Sequence, residues 1–257
     1  MSFTLDAVVE DVVPAPPKVV IYGVHGVGKS TFGASFPNAI LLMTENGIGS
    51  LRVRRFPKVV EAYADLMTAL GALYTGEHDR QTLVLDSLDW LEPIVWKETA
   101  RRHGKDSIEG FDYGKGYIHA DEVWSEVLDG FDALQRERGM SIVCTAHAAV
   151  TRFQSPVVEP FDRYSIKLHK RASALVQEWA DVVAFAHWQT MTTETDLGFK
   201  KKAVRGVSSG QRLLALEERP AWEAKNRFQL PAVMPLDPAQ FLEIGRASCR
   251  ERVSSPV

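Results

Sequence analysis

Cysteine is scarce. The 257 residues hold two, Cys144 and Cys249, which make no disulfide framework. Neither sign of charge dominates: 30 Lys and Arg against 33 Asp and Glu leave −3 at pH 7. Any site for a polyanion must therefore be a local patch. No apolar run reaches the ~18 residues that span a bilayer. The acidic start MSFTLDAVVEDVV lacks the basic-then-apolar order of a secretory signal. These absences point to a cytoplasmic chain with no membrane partner. Internal repeats are missing as well. What remains is globular stock, 45% hydrophobic and 25% charged, which excludes disordered, collagenous and coiled-coil chains. The length suits one large domain, or one with a small appendage.

Three stretches divide the chain. Residues 1–17 end in PAPP and read as a stiff, extended lead-in. Residues 18–242 carry the domain. Residues 243–257 stand apart, because EIGRASCRERV resembles the one-frame translation of a sequencing adapter; the alternative is a native disordered tail. Setting aside Ile244 to Val257 removes three Arg, one Glu and Cys249 and takes the net charge to −5. On the adapter reading, the natural continuation beyond Leu242 is missing.

Within the domain, five short runs are continuously apolar: Lys18 to Tyr22, Ala39 to Met43, Thr82 to Leu85, Ser141 to Ala146 and Asp181 to Ala186. Unbroken apolar character marks strands covered on both faces. Between them lie helical patterns at Thr31 to Phe36, Glu61 to Leu73, Leu88 to Arg102, Ile118 to Arg138 and Ala172 to Trp179. Strands alternating with helices predict an α/β fold with a parallel sheet. After His187 the text changes to a polar hairpin, TTETDLGFKKKAVRGVSSG, a strand RLLALEE, a loop from Asn226 to Pro235 and a helix from Pro238.

The first strand runs into Gly23-Val24-His25-Gly26-Val27-Gly28-Lys29-Ser30, followed by Thr31, and a helix follows. This is G-x-x-x-x-G-K-[ST], the P-loop, in the context the motif requires. Its glycines let several backbone N–H groups converge on one anion, and the following helix places its positive end there. Lys29 reaches the β- and γ-phosphates, and the Ser30 hydroxyl ligates Mg²⁺. A second metal-side carboxylate stands at Asp86, the end of the apolar strand LVLD, where open α/β sheets gather their ligands. Asp86 or Ser87 also suits the N-cap of the next helix.

Hydrolysis needs a group that orients the attacking water. The residue after Asp86 is Ser87, so that group lies elsewhere. Glu45 sits just past the second strand. In a sheet ordered 5-1-4-3-2 it shares an edge with Asp86; the alternative is an exposed turn acid. Asp89 and Glu92 are weaker rivals, read as a solvated helix face. His147 ends the fourth strand in CTAHAA, and is either a phosphate sensor or a structural His. Cys144 and His147 have no second pair at ligand spacing, so zinc is excluded.

GVHGVGKST, LVLDSLDWLE, CTAHA and AKNRFQLP, in this order, resemble the phage-encoded RecA-like P-loop ATPases. These AAA-family ATP-binding proteins include single-strand annealing recombinases. The likeness covers Lys18 to Pro231. It implies a RecA-like core with a C-terminal β-hairpin extension, ATP with Mg²⁺, single-stranded DNA as partner, a homo-oligomer (ring or filament), a single-strand binding protein alongside, and a role in bacteriophage recombination or replication in the host cytoplasm. It gives Glu45 the catalytic place and His147 that of the polar sensor. It also gives Lys225 and Arg227 a reach in trans to a neighbour's γ-phosphate.

The residues add their own support for DNA. Between the fourth strand and the next helix, Arg152, Arg163, Lys167, Lys170 and Arg171 interleave with Phe153, Phe161 and Tyr164. Cations can follow phosphates while aromatics stack on bases; the alternative is an ordinary loop with buried aromatics. Phe199 to Arg205 is a second basic run, equally explained as a charged hairpin that discourages edge pairing. Asp112 to Tyr117 (DYGKGY) is a DNA-facing loop or simply the start of a helix. Two other classes stay open: an ATP-switched annealing module with negligible turnover, and another P-loop enzyme such as a helicase loader or a small-molecule kinase.

Overall fold

The computed structural model describes residues 15–47, 49, 51–155, 157–196 and 202–243. The lead-in through residue 14, Phe199 to Lys201 of the basic run, and the tail from 244 lie outside them. Nine strands form one connected sheet. Five run parallel: β1 (Lys18–Gly23), β2 (Ala39–Met43), β3 (Thr82–Asp86), β4 (Ser141–Phe153) and β6 (Val182–Asp196). Their order is β2-β3-β4-β1-β6, which is 5-1-4-3-2 read from the other edge. This is the doubly covered α/β core that the RecA-like reading requires.

Alternate residues of the same strands enter two separate cores. Val20, Tyr22, Leu83, Leu85, Ile142 and Cys144 pack with Leu66, Leu70, Trp124 and Phe131 of the helices on one face. Val19, Ile21, Val84 and Val143 pack on the other face with Phe32, Phe36 and Phe241. Both sides of each strand are therefore dry, and no polar alternation appears. The first face carries α2 (Tyr63–Thr75), α3 (Leu88–Arg102), α4 (Gly116–Arg138) and α5 (Lys170–Trp179); the second carries α1 (Lys29–Ala34). No helix among the described residues is long and apolar enough to cross a membrane.

Three expectations are corrected. The fourth strand does not end at His147: β4 continues to Phe153 and folds back on β5 (Phe161–Ile166) in antiparallel register, Ala148↔Ile166 to Phe153↔Phe161. The parallel ladder with β1 stops at Gly23↔His147, so the rest of β4 leaves the buried sheet, and exposed residues replace the apolar run. The fifth strand likewise does not stop at Ala186. It runs on as β6 and returns as β7 (Lys202–Ala215), so the polar hairpin is a direct extension of the sheet. Asn226 to Pro235 is not all loop. β8 (Lys225–Asn226) pairs with the start of β6, and β9 (Val233–Pro235) pairs with β7. A helical segment follows at 238–243, as the sequence predicts.

Candidate nucleotide site

The P-loop leaves β1 at Gly23 and enters α1 at Lys29. Gly26 (φ 72°) and Gly28 (φ 106°) hold left-handed backbone, which glycine adopts without strain. Lys29 is buried, and its ammonium donates to the carbonyls of Gly23 at 3.1 Å and Val24 at 3.0 Å. Burial pulls its pKa below the ordinary lysine value, opposed by the charges of Asp86, Asp89 and Glu45. These three carboxylates thus share one electrostatic neighbourhood with the P-loop lysine.

The tips of β2, β3 and β4 are tied together. Met43 pairs with Asp86 in register, and the Thr44 N–H donates to the Asp86 carbonyl at 2.8 Å. The Thr44 hydroxyl accepts from Ser87 N–H and donates to the Ser87 carbonyl, both at 2.7 Å. The Thr145 hydroxyl donates to Asp86 Oδ1. Ser87 Oγ donates to Glu45 Oε1 at 3.1 Å. Glu45 therefore stands beside the residue that follows Asp86. Ser30 and Asp86 offer hard oxygen donors next to the phosphate cradle, a set that suits Mg²⁺.

His147 is held by a residue read as solvated. Asp89 lies in the first turn of α3, yet its side chain is only 3% exposed. It accepts the His147 backbone N–H at 3.0 Å and faces His147 Nδ1 at 2.8 Å. Burial alone would raise the Asp89 carboxyl, but the bonds from His147 outweigh it and hold the carboxyl below the usual range. A carboxylate facing Nδ1 fixes the ring's orientation and leaves Nε2 on the opposite edge. That ring stacks on His25 of the P-loop, centroids 4.1 Å apart.

Glu92, the other residue read as solvated, is also buried. Both its oxygens accept the His169 backbone N–H, at 2.9 and 3.1 Å, where α5 begins. Burial, with the Asp89 charge adding, pushes its carboxyl up to about 7 against the bond from His169. The folded state then keeps a proton that the unfolded chain releases above pH 4.5. Stability from this group is fully present below that pH and is lost as pH rises through 7. Urea unfolding at pH 5.5 and 8.5 should show a loss of about 2 kcal/mol from this residue alone. Glu92→Gln should lack that component; an unchanged pH slope in the variant would place the titration elsewhere.

The proposed DNA residues divide. Arg163 is drawn inward: it pairs with Glu223 at 2.7 Å and Glu218 at 3.2 Å and lies over the Phe153 ring. Phe153 in turn packs on Phe161. Arg152 pairs across the β4–β5 hairpin with Asp162, in an exposed pair. Arg171 is bonded to Asp121 of α4. Lys167 and Lys170 are exposed, the former 4.0 Å from Asp89. The 112–117 segment is a short 3-10 turn, Asp112–Gly114, that leads into α4 at Gly116; its Tyr113 is 98% exposed in left-handed backbone.

Lys225 and Arg227 are not brought to this site. The Lys225 ammonium donates to the Gln177 and Glu178 carbonyls at 2.7 and 2.8 Å, closing the end of α5. Arg227 pairs with Asp181. Both sit by the start of β6, since Lys225 pairs with Val183, whereas the P-loop faces Ala186. Sequence reasoning missed Thr145 and underrated Asp89. The signal for Thr145 was available, since a hydroxyl two residues before His147 interrupts an apolar strand just as Asp86 does.

A family model described as an AAA domain, AAA_24, matches residues 15–228. Among solved structures, a crystal structure of the RadB recombinase is similar to this chain at 13% identity and a TM-score of 0.48, covering 87% of this chain and 89% of that one. No curated protein matches it.

Proposed function

The chain belongs to the AAA_24 family of AAA domains and is a P-loop NTPase, and from that premise we propose that it binds and hydrolyses ATP while acting on single-stranded DNA. The observation that carries the ATPase reading is that Glu45 and Asp86, at the tips of the adjacent strands β2 and β3, share one electrostatic neighbourhood with Lys29 of the P-loop after β1. Residues 23–31 cradle the phosphates through backbone N–H groups, with Lys29 adding positive charge where negative charge grows in phosphoryl transfer. Ser30 and Asp86 hold Mg²⁺, which neutralises phosphate charge. Glu45, aimed by Ser87, orients the attacking water. His147, with Asp89 behind it, reads the γ-phosphate through its free ring nitrogen.

The β4–β5 hairpin grows directly from the His147 strand, so a change at the phosphate passes to the proposed DNA surface without leaving β4. There Lys167, Lys170, Arg152 and Arg171 follow the backbone, while Arg163 and Phe153 brace the hairpin. In a homo-oligomer, Lys225 and Arg227 release α5 and Asp181 and reach the neighbour's nucleotide. The setting is phage recombination or replication in the host cytoplasm, beside a single-strand binding protein. ATP hydrolysis measured with and without single-stranded DNA, in low and moderate salt, tests this. Several-fold stimulation that weakens with salt and vanishes in Lys29→Ala is expected. Nucleotide binding with neither DNA stimulation nor salt-sensitive DNA retention would overturn the DNA part.

A further inference from the structure

Arg212 reaches the P-loop from β7. It lies opposite Trp188 of β6, and one guanidinium N–H donates to the Val27 carbonyl at 3.4 Å. A Cβ built on Gly28 would stand 2.7 Å from the same nitrogen, so the guanidinium fills the space a side chain at that position would need. Its backbone is fixed: Leu236 N–H donates to the Arg212 carbonyl at 2.9 Å, and the next residues, Leu213 and Leu214, pair with β9. A guanidinium is a rigid fork of five donors that stays charged at any physiological pH. One long bond to a carbonyl uses a small part of that capacity.

The flank matters. Asp86 and Glu45 approach the P-loop from β3 and β2, on one side of β1. Arg212 approaches from β6 and β7, on the other side. Metal and γ-phosphate belong to the acidic flank, so a cation on the opposite flank meets the phosphates nearer the nucleoside. We propose that Arg212 binds the α- and β-phosphates of the nucleotide in cis, making the β6–β7 ribbon a wall of the nucleotide site. This inference rests on the nucleotide reading of the P-loop.

The test is titration of ADP and of ATP into the full chain, as wild type, Arg212→Ala, Arg212→Lys and Lys29→Ala. Because ADP keeps both proposed phosphates, the Arg212→Ala Kd should rise by the same factor for the two nucleotides, about 10- to 100-fold for a lost charged hydrogen bond. Arg212→Lys should fall between, and unfolding without nucleotide should be unchanged, since Arg212 is exposed. Unchanged affinities in Arg212→Ala would overturn the proposal. A loss confined to ATP would overturn it too, by assigning the guanidinium to the γ-phosphate. Wild-type binding by Lys29→Ala would instead sink the nucleotide reading, and the inference with it.

Discussion

Glu45→Gln should lower ATP turnover by about 10²- to 10³-fold, within the range a positioned general base supplies, and leave ATP affinity within about twofold. The substitution keeps an Oε1 acceptor for Ser87 Oγ, whose bond to Glu45 is 3.1 Å long, so the side chain has no reason to move. It removes the negative charge and the basicity. Thr44, Ser87 and the Asp86 carbonyl remain locked to one another through backbone and hydroxyl bonds that do not involve residue 45. Steady-state hydrolysis and nucleotide titration on the same preparation separate the two quantities. Turnover within about threefold of wild type would make Glu45 an ordinary turn acid and move the search for the base to Asp89 and His147. The same variant divides a motor from a nucleotide-switched annealing module: annealing that survives unchanged without hydrolysis favours the switch.

The core was legible because of where its strands lie. Val19 to Tyr22 and Leu83 to Leu85 are dry on both faces, and a strand in that position has no polar alternation to blur its pattern. The P-loop and Asp86 were legible because they interrupt such strands with residue types that have no packing role there. The β4–β5 hairpin was not, because past His147 the strand leaves the sheet and its residues are set by pairing rather than burial. Arg163 and Phe153 looked like a DNA-facing couple and instead stack on each other. The cation and the ring attract within the protein by the same physics that would bind a base, and sequence spacing does not say which partner wins. Asp89 and Glu92 looked solvated because acids on helices usually are. Their burial depends on the tip of β4 and on the start of α5 at His169, two contacts that cross some 60 to 80 residues of chain. Lys225 shows a further case: spacing marks it only as a late cation, whereas within one chain its ammonium closes the end of α5.

Gly23→Ala should unfold the protein more easily than any substitution at the other P-loop glycines. Gly23 is the last residue of β1 and pairs with Ala186 in the parallel ladder. A Cβ there would stand 2.1 Å from the Ala186 carbonyl oxygen and 3.0 Å from its carbon. Both are backbone atoms between β1 and β6, and neither can swing aside as a side chain tip would. The strands must separate locally, at a cost on the order of 3 kcal/mol. For a chain of this size that lowers Tm by roughly 6–12 °C. The shift also displaces the Gly23 carbonyl, which with Val24 holds the Lys29 ammonium, so nucleotide affinity should fall together with stability. Gly26→Ala is the control: its left-handed φ is strained for alanine, but nothing lies within 4 Å of the added carbon. That strain is worth about 1–2 kcal/mol. Thermal unfolding of both variants without nucleotide decides the point, because equal losses would trace the requirement for glycine at 23 to backbone conformation rather than to the spacing of the two strands.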